Sequence, residues 1–319
     1  MDNIQLDLPT FSVKLMQEPV ALLGKALDVA TDATVASAVT VKILSVPAGG
    51  VREAPLIVAF HGYVDQSKRT LPVFDGTQYL PVVGGKAVVL SIFDSALQLD
   101  PSISVGWFLG TAQVDLPAAI RAMVDHLVER LSPSRLVFVA GSTGAHAALH
   151  HSAQYPDSIC IVANPLTKVT DFHADKVSAY LRHAWPGRKS EAVFDGLRVN
   201  DAAAAYSRGY GNKVVVLQNC TDHYFFGPIS RTLGHLGAGL TQQPLSAMVV
   251  SEFFPTHIGH TYPAAPLLRW VSAAAFSSGP SLIDIARGAA PAAVAYSASP
   301  APAGGAKANQ RDLQIASML

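Results

Sequence analysis

Charge is scarce in this sequence and evenly balanced. Asp, Glu, Lys and Arg make up 14% of the residues, 23 of them basic and 23 acidic, so the formal net charge is zero. Binding nucleic acid through its phosphates requires a basic excess that can displace counterions, and the composition supplies none. Short basic pairs such as Lys68-Arg69 and Arg188-Lys189 read as solvated surface. Cysteine is nearly missing. Cys160 and Cys220, both in strand-like apolar runs, read as two buried thiols, and their spacing fits no zinc motif. No apolar run approaches the ~20 residues of a membrane-crossing helix. The first residues, MDNIQLDLPTF, lack the basic and apolar regions of a secretory signal. The expectation is a cytoplasmic chain with no transmembrane segment and no nucleic-acid partner. Oligomeric state is left open.

What is present is apolar residue, half of the 319, enough for one large α/β domain or two small ones. Residues 1–35 read as an N-terminal extension, with a short helix around Val20 to Ala30. Then TVKILSVPAGG, APLIVAFHG, GKAVVLSIFDS, LVFVAG, SICIVANP, NKVVVLQNC and LSAMVVSEFF read as strands. These runs are continuous rather than alternating, and helical pattern separates several of them. That predicts a mostly parallel sheet with helices on both faces, an α/β fold spanning residues 36–276. One helix is expected from Val114 to Leu131, capped by Asp115 and opened by Pro117. Another is expected from Pro266 to Ala275. Residues 166–211 are polar and aromatic, and read as a small helical insertion over the sheet's carboxyl edge. From residue 277 to 319, Ala, Pro, Gly and Ser dominate, which reads as a flexible tail.

The stretch LVFVAGSTGAHAAL passes from strand to helix through small residues only. A turn that sharp lifts its apex residue above the sheet and brings the backbones on either side close together. Small residues are therefore needed two before and two after the apex, which is the mechanics of the G-x-S-x-G elbow. Ser142, between Ala140 and Gly144, is the expected apex. Thr143 is the alternative, although its extra methyl crowds a strained turn.

The longer segment LVFVAGSTGAHAALHHSAQYPDSI resembles the nucleophile elbow of the α/β-hydrolase superfamily, with Ala140 where the first glycine is usual. The resemblance implies a chain order of Ser, then Asp or Glu, then His. Asp222, just after the strand VVVLQNC, sits where the acid is expected, and Asp195 and Asp201 lie upstream of that strand. His260, in Gly259-His260 after the last strand, sits where the base is expected, in preference to His257. His61-Gly62-Tyr63 resembles the family's His-Gly-x segment. The amides of Tyr63 and Thr143 are the expected oxyanion donors. His61, Gly62 and Trp107 are the expected substrate-binding residues.

The function implied is a serine hydrolase working by acyl transfer on a small-molecule or glycan ester through a Ser142-His260-Asp222 triad, with no cofactor and no metal. His146 and His150 lie one helical turn apart, but no carboxylate completes a metal set. Two other readings stay open at this point. One is an acyltransferase. The other is a catalytically silent hydrolase-fold binding or accessory protein in a surface-glycan or secretion pathway.

Overall fold

The computed structural model describes residues 3–8, 11–16, 38–195, 198–240 and 246–290 of the chain. Met1–Ala289 form one compact unit and Ala290–Leu319 a second, of which only Ala290 is among the described residues.

Among the described residues, nine strands form one sheet: β1 (Asn3–Leu8), β2 (Phe11–Met16), β3 (Ala38–Ser45), β4 (Leu56–Phe60), β5 (Val88–Phe93), β6 (Leu136–Gly141), β7 (Ile159–Ala163), β8 (Lys213–Asn219) and β9 (Ala247–Glu252). Their order is β1-β2-β3-β5-β4-β6-β7-β8-β9. From β5 to β9 every neighbouring pair is parallel, and β3 runs antiparallel to β5. The helices are α1 (Leu80–Val83), α2 (Leu116–Leu131), α3 (Ala145–Ser152), α4 (Ala174–Ala184), α5 (Ser190–Phe194), α6 (Ser230–Leu240), α7 (Ala264–Phe276) and α8 (Leu282–Ala289). This is the mostly parallel α/β sheet with helices on both faces that was expected. No helix among the described residues is long and apolar enough to cross a membrane.

The continuous apolar strands are explained by burial on both faces. Leu56, Val58 and Phe60 of β4 and Leu136, Phe138 and Ala140 of β6 pack with α2, α3 and α6 on one side. Ile57 and Ala59, and Val137 and Val139, pack with α7 and α8 on the other. Helix α2 begins as its sequence dictates: the Asp115 side chain accepts from the Ala118 amide, and Pro117 occupies the first turn.

The insertion is helical, with α4, α5 and short 3-10 turns at Val169–Asp171 and Ala202–Arg208. It shares a third apolar cluster with the loop after β5, through Trp107, Leu109, Tyr180, Trp185 and Phe194.

Four expectations are corrected or bounded here. The N-terminal extension contributes β1 and β2 to the sheet, β2 pairing parallel to β3. The helix expected around Val20 to Ala30 lies outside the described residues. The tail expected from residue 277 opens with helix α8, whose Leu282, Ile285 and Ala289 recur at helical spacing and are buried; residues 291–319 lie outside the described residues. Cys160 is buried in β7, but Cys220 is exposed, because β8 ends one residue before it.

Candidate active site

In a parallel sheet, loops that leave the carboxyl ends of the strands gather at one edge, and a crevice opens where the strand order reverses. Here the reversal falls at β4. The chain moves from β4 to β5 on one side and later returns to place β6 on the other. His61 and Gly62 leave β4 at this point, and Ser142 leaves β6 directly beside them.

Ser142 has φ +53°, a left-handed conformation that costs a side-chain-bearing residue about 1–2 kcal/mol. Its surroundings enforce this turn. The Leu166 amide donates to the Ser142 carbonyl at 3.0 Å. A Cβ at Gly144 would stand 2.5 Å from the His61 carbonyl oxygen, and one at Gly62 would stand 3.2 Å from the Gly141 oxygen. Only glycine allows the two backbones to approach this closely. Thr143 is fully buried inside the turn, so Ser142, not Thr143, is the apex.

The three expected catalytic side chains meet. His260 Nε2 lies 2.7 Å from Ser142 Oγ, and His260 Nδ1 lies 2.8 Å from Asp222 Oδ2. With Asp222 ionised, Nδ1–H donates to the carboxylate and Nε2 accepts from the serine hydroxyl. The other carboxylate oxygen of Asp222 accepts from the Tyr224 amide at 2.9 Å. Burial opposes ionisation of Asp222. The His260 hydrogen bond and the Tyr224 amide outweigh it and hold the carboxyl below its ordinary range. His257 points elsewhere: its ring meets Thr256 Oγ1 at 2.9 Å and its carbonyl is bound by Asn219.

The amides beside Ser142 follow from the local backbone. Thr143 is the second residue of the turn that opens α3, where an N–H has no intrahelical partner. The Tyr63 amide has no hydrogen-bond partner among the described residues, and the residue is 43% exposed. His61 stands behind this loop rather than in it. Its Nε2 accepts from the Asp94 amide at 3.1 Å, which leaves Nδ1–H to donate to the Gly62 carbonyl at 2.8 Å. Burial pushes the His61 imidazole down, keeping it neutral.

Trp107, expected at the substrate, is not there. It is 1% exposed and packs edge-on against Phe172 and Tyr180. The cause is the buried Asp94 carboxylate. It accepts from the Ala96 and Phe108 amides at 3.2 and 2.9 Å, so the loop turns inward through positive φ at Trp107 and Phe108. Burial pushes the Asp94 carboxyl up, against the pull of His61 and these amides.

Two positioning residues were not anticipated. Asn219, buried at the end of β8, donates to the carbonyls of His257 and Thr261 at 2.5 and 2.9 Å and so spans the His260 loop. Its Oδ1 accepts from the Thr221 amide and hydroxyl, and Thr221 Oγ1 accepts from the Gly259 amide at 3.0 Å. Asn164, at φ +45°, accepts from the Asn219 amide at 2.8 Å. An asparagine ending a buried strand was the available signal in both cases. The histidines of α3 have structural roles: His146 Nε2–H donates to the Val199 carbonyl at 2.8 Å, and His151 stacks on Phe60.

No protein-family model matches the sequence, and no curated protein matches it. Solved structures with similar folds include the Glycosylation Associate Protein (Gap123) complex from Streptococcus agalactiae, 14% identical with TM-score 0.47, matched over 69% of this chain and 41% of that chain. They include the capsule O-acetyltransferase of Neisseria meningitidis serogroup A, 12% identical with TM-score 0.49, over 68% of this chain and 84% of that one. They also include FphF, a fluorophosphonate-binding serine hydrolase of Staphylococcus aureus, 8% identical with TM-score 0.45, over 91% and 98%. At these identities the likeness is one of fold alone.

Proposed function

We propose that the protein is a serine hydrolase acting on a carboxylic ester by acyl transfer. The observation that carries this is His260 bridging Ser142 and Asp222 at 2.7 and 2.8 Å, with the serine on a strained apex at a sheet's carboxyl edge. Ser142 Oγ attacks the acyl carbon while its proton passes to His260 Nε2. Asp222 holds the imidazole in the tautomer that can accept this proton and stabilises the imidazolium formed. The Thr143 and Tyr63 amides donate to the oxyanion of the tetrahedral intermediate. The intermediate collapses, the bond to the alcohol oxygen breaks, and that oxygen takes the proton from Nε2. Water then attacks the acyl-enzyme, giving a proton to His260, and a second collapse frees the acid and restores Ser142.

The test is labelling with a fluorophosphonate, read by intact mass on the wild type and on Ser142→Ala. One adduct on the wild type and none on the variant is expected. A folded wild type that takes no label would remove the catalytic reading and leave the fold a binding role. Label retained by Ser142→Ala would move the nucleophile elsewhere.

A further inference from the structure

In the mechanism above, His260 delivers its proton to the oxygen of the departing alcohol. That oxygen must come within hydrogen-bond reach of Nε2, so the body of the alcohol rests against whatever flanks the His260 ring. Tyr224 stands edge-on to that ring, centroids 5.0 Å apart and planes at 83°. His223 lies 6.1 Å from the same ring and 4.1 Å from the Tyr224 ring. The Tyr224 hydroxyl is joined to His173 Nε2 at 2.9 Å. His173 belongs to the insertion, just before α4, so two distant segments build one wall. The wall is also fixed to the triad, because the Tyr224 amide donates to the Asp222 carboxylate. His173 and His223 are exposed, so this wall faces solvent above the triad.

Its chemistry selects a class of alcohol. The surfaces are aromatic, and the polar atoms spaced along them are imidazole nitrogens and a phenol oxygen, each able to pair with a hydroxyl. A pyranose presents the complement, with ring C–H groups for the aromatic surfaces and hydroxyls for the nitrogens and oxygen. A plain alkyl or cycloalkyl alcohol would use the rings and offer nothing to the imidazole nitrogens that the Tyr224–His173 hydrogen bond leaves over. We propose that His173, His223 and Tyr224 form the subsite for the leaving alcohol and that this alcohol is a sugar. This rests on the Ser142 acyl-transfer reading.

The test compares esters that differ only in the alcohol. Methyl glycosides of glucose, galactose and mannose, each singly acetylated at one hydroxyl, are set against cyclohexyl and cyclohexylmethyl acetate, which share the ring shape without its hydroxyls. Each kcat/KM is expressed relative to that for p-nitrophenyl acetate. The best acetyl sugar should exceed both cyclohexyl esters by at least about tenfold, the discrimination expected when one hydrogen-bonded hydroxyl is withheld. Tyr224→Ala and His173→Ala should each erase most of that preference, chiefly through KM. Tyr224→Phe, which keeps the ring and removes only the hydroxyl bonded to His173, should erase a smaller part. A wild type that takes label at Ser142 but treats sugar and cyclohexyl esters alike would overturn the subsite and leave the hydrolase reading standing. A sugar preference that survives all three substitutions would also overturn it. A wild type with no Ser142-dependent labelling would overturn both readings.

Discussion

The His61 imidazole offers a direct test of how the proposed oxyanion donor, the Tyr63 amide, is held. The carbonyl of Gly62 and the N–H of Tyr63 belong to one planar peptide unit. Fixing one end fixes the other, so the 2.8 Å hydrogen bond from His61 Nδ1–H to the Gly62 carbonyl sets the direction in which the Tyr63 N–H points. The Asp94 amide at Nε2 sets the tautomer that makes this possible. Removing one oxyanion donor outright costs about 10²–10³ in kcat, roughly 2.7–4 kcal/mol. His61→Phe keeps the contacts with Phe93 and Phe108 but frees the peptide to turn, so it should lose an appreciable part of that, about tenfold to a hundredfold in kcat, with KM changed much less. It also leaves the buried Asp94 amide unpaired, at about 1–3 kcal/mol of stability. His61→Asn can place its Nδ2–H near the position of Nδ1 and should recover most of kcat. The assay is steady-state hydrolysis of p-nitrophenyl acetate alongside thermal melts, at a temperature where every variant stays folded. If His61→Phe keeps near-wild-type kcat, or His61→Asn falls as far as His61→Phe, the imidazole does not orient the donor.

Three further outcomes follow from the same geometry. Asn219→Leu removes the donor that spans the His257 and Thr261 carbonyls; kcat should fall at least tenfold with markedly less fluorophosphonate labelling, and wild-type labelling rates would refute the clamp. Gly144→Ala would ordinarily stabilise a helical start by about 0.4–1 kcal/mol. The 2.5 Å approach to the His61 carbonyl should instead make it destabilising by about 1–3 kcal/mol, and a raised Tm would show the contact to be looser. Burial, with His150 beside it, lowers the His146 imidazole to about 3 from 6.5. The unfolded chain therefore takes a proton below pH 6.5 that the folded chain refuses, and stability is lost as pH falls from 6.5 towards 3. His146 alone should contribute a loss of about 2 kcal/mol at pH 5. Urea unfolding at pH 7.5 and 5.0 should show that much less loss in His146→Gln, and an equal loss would refute the assignment.

The parts legible in the sequence are those with local causes. Burial on both faces makes a strand apolar throughout, so β4 to β8 stood out as unbroken runs. The elbow was legible because tight backbone approach demands small residues at set offsets around Ser142. Asp222 and His260, which the structure brings to Ser142, were legible only through position, each in a loop that follows a strand. What escaped depends on distant partners. Asn219 acts on residues 38 to 42 positions away, and its place at the end of a buried strand marks a buried polar group without showing which loop it holds. Trp107 resembled a pocket residue because large aromatics line pockets and cores alike. The Asp94 hydrogen bond to Phe108, 14 residues on, decides for the core. Helix α8 did carry a signal, the spacing of Leu282, Ile285 and Ala289, obscured by the Ala- and Pro-rich composition around it.

The buried polar residues around the site share a place and a logic. His61, Asp94, Asn164 and Asn219 all stand at or just past the carboxyl ends of parallel strands, and all are buried. Apolar contact could bury the same loops, but dispersion has no direction. The chemistry proposed for Ser142 depends on where individual N–H groups and one imidazole point. A buried polar side chain is costly unless paired, so it persists where the groups it pairs with are backbone groups whose orientation matters. That is the case for the Gly62 carbonyl, the Phe108 amide and the carbonyls of the His260 loop. The sheet supplies the rigid frame, and each of these side chains carries its rigidity one loop further out. Substituting such a residue should therefore lower kcat more than its effect on stability alone would suggest. Substituting the apolar residues of β4 or β6 should do the reverse.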